Sequence, residues 1–421
     1  MAKKQINVGL IGCGTVGLGV IKLFEQNSQL INDAAGIAVN LKKVCDSRDV
    51  SAPNLTKNVD DILIDPDIDI VIESIGGVDP AKDFILSAIN SGKNVVTPNK
   101  EVIAKFGHEI MAAANSKGVD VMFEGSVGGG IPIIKPLRES LAANHIQEIF
   151  GIVNGTTNYI LSKMTELGKS FNVVLDEAKA KGFAESNPAS DIDGLDAAYK
   201  AIILAAVAFN RGVSVSEIHI EGISKVTLED IRYAAEIGYS IKLLAVLKRV
   251  DDLLDIRVHP TLVPSSHPLA AVSDANNAIY VKGDAVGELM FYGPGAGSLP
   301  TASSIMSDVI DISKKIACGG AVCSKIRFAK AKVKNIGDVI SRYYVRFSVP
   351  DQPGVLAKIA GIFGSYGASI QAAIQKETIG DIAQLVIIIH NTKEKNISGA
   401  LSEISKLPGI EIANMIRVGL D

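Results

Sequence analysis

The first 130 residues alternate between short, strongly apolar runs and longer segments that are apolar on one side only. The apolar runs lie at residues 6–11, 41–45, 68–73 and 94–97. Strands this short and apolar are typical of parallel sheets that are covered by helices on both faces. The pattern therefore predicts a doubly wound α/β domain over residues 1–130.

Residues 342–421 show a different order of patterns. Strands are predicted at 343–349, 368–375, 383–390 and 410–418, and helices after residue 354 and over about 397–407. The order strand–helix–strand–strand–helix–strand predicts a ferredoxin-like sandwich. A charged, weakly patterned linker at 318–341 separates it from an α+β region at 131–317.

The chain has 421 residues, which is enough for two or three domains. A formal net charge of −4 without a basic run argues against binding nucleic acid. The most apolar stretch, residues 201–209, is too short to cross a membrane. Four cysteines without CxxC spacing, and no room for a signal peptide before the first strand, predict a cytoplasmic protein. The six histidines form no ligand pattern, so proton transfer is expected to use Lys, Asp or Glu.

The first apolar run leads directly into Gly12-x-Gly14-x-x-Gly17 and then into an amphipathic segment. In such a strand–turn–helix context Gly12 permits the turn, Gly14 admits a pyrophosphate, and Gly17 lets the helix pack on the strand. The helix N-terminus presents N–H groups to the phosphates. The motif predicts a Rossmann domain that binds NAD or NADP.

Three residues at the carboxyl ends of the predicted strands bear on the ligand. Asp46 is suited to the ribose hydroxyls of NAD, and nearby Arg48 is suited to the 2′-phosphate of NADP. Both could equally be solvated loop charges. Lys100 stands where ligands of open α/β sheets bind, and it is either a functional residue or a solvated loop charge.

A second glycine-rich segment, residues 124–132, combines Glu124 with three successive glycines. One carboxylate and several converging carbonyls suit a hard cation. A flexible hinge between domains is the alternative interpretation.

Residues 182–200 are the most informative part of the chain. Four carboxylates stand here in a short loop: Glu185, Asp191, Asp193 and Asp196. The loop suits a substrate with an ammonium group, and Asp196 shares a helix face with Lys200. Desolvation beside an apolar core would lower the pKa of Lys200, and Asp196 would oppose that shift. Lys200 is therefore a candidate proton donor, and a surface ion pair is the alternative.

Two further loops open helices. Residues 154–159 follow a strand and suit either an N-cap or a substrate carboxylate. The glycine-rich residues 291–301 precede a helix with Ile305, Val309 and Ile312 at helical spacing. This helix is expected to return the chain to the nucleotide domain, although the loop could be only a helix entry.

Together these segments resemble the homoserine dehydrogenase family, from about Ile6 to the end of the chain. The most specific element is Gly-Phe-Ala-Glu-x-x-Pro-x-x-Asp-x-x-Gly-x-Asp-Ala-x-x-Lys at 182–200. Segments 97–100, 154–156 and 293–301 support it in the right order. The resemblance implies the reversible reduction of L-aspartate 4-semialdehyde to L-homoserine with NAD(P)H.

The resemblance also implies residue roles. Lys200 matches the proton donor, with Lys100 as an alternative. The expected substrate contacts are Glu185, Asp191, Asp196, Gly155 and Thr156. The expected cofactor contacts are Gly12, Gly14, Thr15, Val16, Gly17, Asp46, Ser74, Thr97, Lys100, Gly182 and Gly297. Glu124 and the carbonyls of Val127, Gly129 and Ile131 match a sodium site.

The C-terminal pattern, with its Asp351-x-x-Gly354 turn, resembles an ACT domain. Such domains usually pair and bind amino acids near this turn. The resemblance implies a homodimer or homotetramer and an effector site at Asp351 and Gly354, and threonine is our hypothesis for the effector. A domain used only for oligomerisation is the alternative.

Two other functions agree less well with the sequence. A phosphorylating semialdehyde dehydrogenase needs a cysteine nucleophile, but Cys13 lies in the nucleotide loop and Cys318 and Cys323 lie in the linker. Against a catalytically silent sensor of amino acids and dinucleotides stands the intact set of Glu185, Asp196 and Lys200.

Overall fold

The computed structural model describes residues 3–182, 184–185, 187–319, 326 and 328–420, with the backbone alone at 376–379. Its strands are β1 (Gln5–Ile11), β2 (Ala38–Cys45), β3 (Leu55–Thr56), β4 (Ile70–Glu73), β5 (Asn94–Val96), β6 (Val121–Met122), β7 (Ile146–Ile152), β8 (Arg211–Gly212), β9 (His219–Ile220), β10 (Tyr239–Val250), β11 (Leu253–Pro264), β12 (Asn276–Gly283), β13 (Gly287–Pro294), β14 (Ala329–Lys330), β15 (Ile340–Pro350), β16 (Ile370–Ile379), β17 (Ile382–Lys393) and β18 (Glu411–Val418).

Its α-helices are α1 (Thr15–Ala35), α2 (Asp60–Leu63), α3 (Ala81–Asn90), α4 (Lys100–Lys117), α5 (Gly155–Leu167), α6 (Phe171–Ala180), α7 (Ala189–Ile192), α8 (Leu195–Phe209), α9 (Leu228–Glu236), α10 (Ser298–Ala317), α11 (Val355–Ser365) and α12 (Glu394–Ile404). Across the part of the chain that the structure describes, no helix is both long enough and apolar enough to span a membrane.

The chain groups into two compact units. The first contains Met1–Ile149, Tyr199–Glu217 and Asn277–Ala331, and the second contains Phe150–Ala198, Ile218–Asn276 and Lys332–Asp421. Both units are discontinuous in sequence. The predicted domain limits at residues 130, 317 and 341 stay predictions.

A six-stranded sheet in the order β3-β2-β1-β4-β5-β6 forms the centre of the first unit, and all its pairs are parallel. This order belongs to dinucleotide-binding folds, and it confirms the predicted doubly wound sheet. The largest boundary differences from the prediction in this sheet are at β2, which begins at Ala38, and at β4, which begins at Ile70. Both differences concern ends of strands, which local sequence defines least well.

Helix α10 packs into the same core as the first strand. Ile305, Val309 and Ile312 are fully buried in one cluster with Val8 and Val20 of β1 and α1. The helix therefore returns the chain to the nucleotide-binding sheet, as its apolar stripe predicted.

The C-terminal part of the second unit forms an antiparallel sheet in the order β18-β15-β17-β16. Residues of α11 and α12, such as Phe363 and Ile397, share its core with Tyr343, Phe347 and Ile387 of the strands. This arrangement confirms the predicted ferredoxin-like βαββαβ order.

Strand β18 also pairs on its other edge. Thr261 and Leu262 of β11 align in parallel with Arg417 and Val418 of β18, and β11 pairs in turn with β10. The sequence pattern predicted a linker between the C-terminal sandwich and the preceding region, and it gave no sign of a shared sheet. A short parallel pairing between distant segments leaves no periodic pattern in the sequence.

A buried charge cluster joins α9 to the C-terminal sheet. The Asp230 carboxylate accepts hydrogen bonds from Nε of Arg346 at 2.6 Å, from the Tyr344 hydroxyl at 3.2 Å and from the Asn414 amide at 2.8 Å. Its second role is in a capping box with Thr227 at the start of α9. Asp230 is completely buried, so these donors replace the water that its charge loses on folding.

Replacing Asp230 with alanine should therefore lower the free energy of unfolding by about 3–5 kcal/mol, because Arg346 would remain buried without its counter-charge. Urea unfolding followed by circular dichroism measures this change. The control is Asp338→Ala at an exposed carboxylate, which should leave the free energy of unfolding nearly unchanged. Equal effects of the two substitutions would contradict the structural role given to the buried cluster.

Candidate active site

The turn after β1 requires glycine at positions 12 and 17. Gly12 has φ +97°, and a Cβ there would lie 2.8 Å from the carbonyl oxygen of Ser74. A Cβ at Gly17 would lie 2.0 Å from the carbonyl oxygen of Gly12. A Cβ at Gly14 would meet no atom within 4 Å, so the space beside this residue is open. The loop fits the tight turn, close packing and pyrophosphate access that the motif predicted.

The start of α1 is suited to phosphate. Thr15 is its first residue, Val16 follows, and the N-cap Gly14 makes no side-chain capping bond. The first N–H groups of an α-helix have no acceptor within the helix. They are therefore available to an anion, and the helix dipole favours that anion.

A cavity of about 600 Å³ opens beside this loop. Its lining includes Gly12, Gly14, Asp46, Ser47, Arg48, Lys57, Asn58, Ser74 and Phe84. The volume lies within the range of small-molecule and cofactor sites. Ser74 also holds the loop from below, because its hydroxyl donates to the carbonyl of Gly12 at 2.8 Å.

Asp46 and Arg48 form a pair rather than two independent loop charges. Nε and Nη2 of Arg48 each donate to the Asp46 carboxylate at 2.9 Å, and the Cys13 N–H donates to it at 2.7 Å. The Arg48 guanidinium, together with these backbone donors, holds the pKa of the Asp46 carboxyl well below its usual range. Asp46 therefore fixes the glycine loop, and the pair lies in the wall of the cavity.

A buried glutamate organises the next two loops. The Glu73 carboxylate accepts hydrogen bonds from the Thr97 hydroxyl and the Ile75 N–H, each at 2.7 Å. The Thr97 hydroxyl in turn accepts from the N–H of Asn99, which is the N-cap of α4. Burial raises the pKa of Glu73, and these donors oppose that rise. Thr97 is thus engaged in the interior, and half-buried Lys100 begins α4 directly after the cap.

The Glu124 carboxylate is held by three backbone donors. It accepts the N–H groups of Ile133, Ile134 and Lys135 at 2.5, 2.8 and 2.7 Å. Burial raises the pKa of Glu124, and the three N–H groups oppose the rise. Among the described residues no cluster of three or more His, Cys, Asp or Glu side chains could hold a metal ion. A cation in this loop would therefore depend on backbone carbonyls.

The second and third glycine-rich loops pack directly against each other. A Cβ at Gly129 would lie 2.6 Å from the carbonyl oxygen of Gly295, and the N–H of Gly130 donates to the carbonyl of Pro294 at 3.1 Å. The Gly129 carbonyl accepts a hydrogen bond from the Ser304 hydroxyl at 2.6 Å. Val127, Gly129 and Ile131 are all buried. This packing leaves little freedom for the hinge interpretation at residues 128–130.

The third loop reaches the cofactor helix. Gly297, with φ +127°, is the N-cap of α10. Directly after it, the Ser298 hydroxyl donates to the carbonyl of Thr15 at 2.6 Å, and a Cβ at Gly19 would lie 2.6 Å from the Ser298 carbonyl oxygen. The loop therefore lies against the first turns of α1, where the sequence predicted a cofactor contact at Gly297.

The amide of Asn154 brings two of the predicted substrate acids together. Its Nδ2 donates to Asp191 at 2.7 Å and to Asp196 at 2.8 Å, while its Oδ1 accepts the N–H of Thr157 as the N-cap of α5. The Thr156 hydroxyl donates to the other oxygen of Asp191 at 3.0 Å. Residues Asp191, Asp196 and Thr156 therefore share one hydrogen-bonded group.

The other predicted residues around this group are placed as follows. Asp196 and Lys200 are buried and lie one turn apart in α8. A Cβ at Gly155 would lie 2.7 Å from the Ala275 carbonyl oxygen, so this glycine serves close packing. Glu185 and Gly182 are exposed. Phe183 and Ser186 of the same motif lie outside the described residues.

The roles of Glu73 and of the Asn154 NH₂ group were not predicted from the sequence, where Asn154 looked like an ordinary helix cap. A carboxylate that ends a wholly apolar run was the available signal for Glu73. For Asn154 the signal was weaker, since an N-cap uses only the amide oxygen and leaves the NH₂ group to find acceptors.

At the predicted effector turn, Gly354 has φ +89° and caps α11. The exposed Asp351 accepts a hydrogen bond from the Gln375 amide of β16 at 3.0 Å, and its N–H donates to the carbonyl of Asp381. The structure therefore brings the turn and β16 together at one side of the sandwich.

Three family models match the chain along its length. The model described as homoserine dehydrogenase, NAD binding domain, matches residues 12–124, and the model described as homoserine dehydrogenase matches 132–310. The ACT domain model matches residues 343–409. The predicted order of the three regions is thereby confirmed.

Relatives match nearly the whole chain. The homoserine dehydrogenase of Bacillus subtilis is 41% identical over 426 residues, covering 99% of this chain and 98% of its own length. A crystal structure of the Thiobacillus denitrificans enzyme has a TM-score of 0.94 at 41% identity and covers 99% of this chain and 98% of its own. A hyperthermophilic archaeal homoserine dehydrogenase in complex with NADPH has a TM-score of 0.64 at 28% identity, over 74% of this chain and 98% of its own.

These matches confirm an enzyme rather than a silent sensor, and they agree with the nucleotide loop and the acid–lysine helix described above. The chain belongs to the homoserine dehydrogenase family of NAD(P)-dependent oxidoreductases.

Proposed function

We propose that this chain interconverts L-aspartate 4-semialdehyde and L-homoserine, with α8 both anchoring the substrate and delivering the proton. One observation carries the proposal: buried Asp196, tied to Asp191 through Asn154, stands one helical turn before buried Lys200. Spacing along a helix fixes the separation of the two groups. An amino acid bound at Asp196 would therefore lie within reach of Lys200.

The acids are suited to the ammonium group of the substrate. The Asn154 amide draws the two carboxylates of Asp191 and Asp196 to a single donor, so negative charge is concentrated at one place. An ammonium ion there lowers the repulsion between them. Glu185 adds a third carboxylate from the preceding loop. Thr156 and Gly155 hold the start of α5 in place beneath Asp191.

The bound nicotinamide supplies the hydride that converts the aldehyde carbon into an alcohol carbon. The task of the protein is to stabilise the negative charge that develops on the aldehyde oxygen and to protonate it. Lys200 donates the proton from Nζ, and Lys100 at the start of α4 provides a second positive charge. In the reverse direction Lys200 takes the proton back from the hydroxyl of homoserine.

Replacing Lys200 with alanine should lower kcat by about a thousandfold, because it removes the proton donor, whereas Lys100→Ala should lower it by only about tenfold. Oxidation of NADPH with L-aspartate 4-semialdehyde measures both variants. NADPH binding and thermal unfolding should stay close to those of the unmutated chain. The opposite order of the two effects would assign proton delivery to Lys100 instead.

We propose that the enzyme prefers NADP. Asp46 is already bound by Arg48 and the Cys13 N–H, so it is poorly placed to accept from the ribose hydroxyls of NAD. Arg48, which is exposed beyond its pair with Asp46, and Lys57 place two cationic side chains in the cavity lining. A 2′-phosphate forms charge-assisted hydrogen bonds with such groups.

Arg48→Ala should lower kcat/KM for NADPH by about tenfold to a hundredfold, the range for a lost hydrogen bond to a charged group. The value for NADH should stay constant or rise, since Asp46 would be released for the ribose. Lys43→Ala is the control, because Lys43 lies on β2, the strand that precedes Arg48, and is outside the cavity lining. Equal losses with both cofactors would contradict a specific role at the 2′-position.

We propose that a sodium ion binds the loop at 124–131 through the carbonyls of Val127, Gly129 and Ile131. The Glu124 carboxylate, which accepts three backbone N–H groups, keeps one acceptor position for the ion. Buried Asp308 accepts the Glu124 N–H at 2.8 Å, and burial beside Glu124 raises its pKa, so a cation nearby would favour the ionised form of both carboxyls. A monovalent cation would offset this concentration of buried negative charge.

We propose that the C-terminal domain binds an amino acid, with threonine the first candidate, at the turn of Asp351 and Gly354. The carboxylate of Asp351 suits an ammonium group, and N–H groups at the start of α11 suit a carboxylate. A homodimer or homotetramer and a cytoplasmic location stay predictions of the sequence.

Millimolar threonine should inhibit the enzyme, and Asp351→Ala should weaken that inhibition by about tenfold or more, because the ammonium group would lose its partner. Initial rates against threonine concentration measure the effect. Asp338→Ala, at an exposed carboxylate of the same half of the chain, should leave it unchanged. Absence of both inhibition and threonine binding in the unmutated chain would contradict the effector proposal.

A further inference from the structure

The turn that carries the two substrate acids is supported by a neighbouring backbone segment. Asp191 lies in α7 and Asp196 in α8, and Gly194, with φ +86°, lies in the turn between them. Beneath this turn, the N–H of Ile223 donates to the carbonyl of Ile192 at 2.9 Å. The position of the acids therefore depends on the segment that contains Ile223.

The support is a close backbone contact. A Cβ at Gly222 would lie 2.1 Å from the carbonyl oxygen of Ile192, so only glycine permits this approach. The Glu221 carbonyl oxygen lies 3.4 Å from where a Cβ of Gly194 would stand. We call residues 220–223 the platform, because the turn of the substrate acids rests on it.

Glu221 links the platform to the C-terminal domain. Its backbone N–H donates to the carbonyl of Val258 in β11 at 2.8 Å. Its carboxylate accepts a hydrogen bond from Nη1 of Arg417 at 2.8 Å and lies 3.4 Å from Nε2 of His219. Burial raises the pKa of Glu221, but the contacts with His219 and Arg417 outweigh it and lower the pKa to about 2. The carboxylate is therefore ionised throughout the working pH range.

Arg417 belongs to β18 and is held firmly from the other side. Its Nε donates to Glu394 of α12 at 2.9 Å, its Nη2 donates to the other carboxylate oxygen, and the Tyr343 hydroxyl donates to Glu394 at 2.9 Å. Only 2% of Arg417 is exposed. The planar guanidinium thus bridges Glu394 in the C-terminal sandwich and Glu221 in the platform, a geometry that lysine cannot reproduce.

The buried pair of Arg346 and Asp230 is a second charged contact in this unit, and it lies away from the platform. Arg346 contacts Asp230 and Thr227 at the first turn of α9 and Gln384 of β17. None of these three residues belongs to the platform. Arg346, like Arg417, is a buried arginine of the same sheet, and its guanidinium also donates hydrogen bonds to several side chains. Arg346 therefore offers a matched comparison with Arg417.

We propose that Arg417 and Glu221 are positioning residues for the substrate: their ion pair sets the platform, the platform sets the turn, and the turn orients Asp191 and Asp196. The C-terminal domain thereby contributes to substrate affinity through a fixed contact, even before any effector binds. The inference rests on the proposed substrate role of Asp191 and Asp196. It adds a contact that lies outside the active site and acts through the backbone.

The test uses the full chain with NADPH and L-aspartate 4-semialdehyde. Glu221→Gln keeps the shape and hydrogen-bonding capacity of a side chain that is partly exposed, and Arg417→Lys keeps the charge but loses the fork. Each should raise KM for the semialdehyde by about tenfold, with kcat and KM for NADPH nearly unchanged. The double variant should be no worse than the more affected single variant, because both substitutions break the same pair.

The control is Arg346→Lys, which loosens a buried arginine at the second charged contact and should leave KM for the semialdehyde unchanged. Thermal unfolding of all variants monitors stability. A KM within twofold of the unmutated value for both Glu221→Gln and Arg417→Lys would overturn the inference. An equal rise of this KM in Arg346→Lys would also overturn the inference, because it would show that loosening any buried arginine of the sheet has the same effect.

Asp196→Asn separates this inference from the proposed function. If it raises KM for the semialdehyde while Glu221→Gln and Arg417→Lys leave it unchanged, the acids bind substrate and only the positioning inference fails. If Asp196→Asn leaves KM unchanged, the substrate assignment fails, and the inference fails with it.

Discussion

Burying a charged group requires that hydrogen bonds replace the water it loses, and this requirement fixes the loops of this chain. Asp46 holds the glycine loop because Arg48 and backbone N–H groups satisfy its oxygens. Glu124 gathers three successive N–H groups in the same way, and Glu73 joins two loops at the carboxyl edge of the sheet. In each case a carboxylate is surrounded by donors from segments that are otherwise irregular. The precision of the site follows from how completely these acids are satisfied.

The fold was largely predictable because local sequence patterns determine most of its strands, helices and turns. The period of apolar positions separates strands from helices, and turn residues mark where each ends. The Gly12 turn was identifiable because a strand, a glycine spacing and a helix occurred in succession. The apolar stripe of Ile305, Val309 and Ile312 predicted that α10 is buried on one face. In the structure this face packs in one core with β1 and α1.

The site was predictable only in part, because its hydrogen bonds join residues that are distant in sequence. Asp196 and Lys200 could be paired by helical spacing, but nothing local shows that Asn154 draws Asp191 and Asp196 together. Asp46 and Arg48 are close in sequence, and each was a candidate for a cofactor contact. The sequence did not show that their side chains bind each other. The parallel contact of β18 with β11 likewise depends on tertiary packing alone.

The packing of α10 on the first sheet affects the order in which the chain can fold during translation. A chain emerges from the ribosome N-terminus first, and domains generally fold as units. Here Val8 and Val20 are made early, but their cover at Ile305 and Val309 is made only after most of the second unit. The nucleotide-binding sheet must therefore wait, with an apolar flank exposed, while later segments fold. An early part of the chain is thus among the last to be completed, and during this interval its exposed apolar flank favours aggregation.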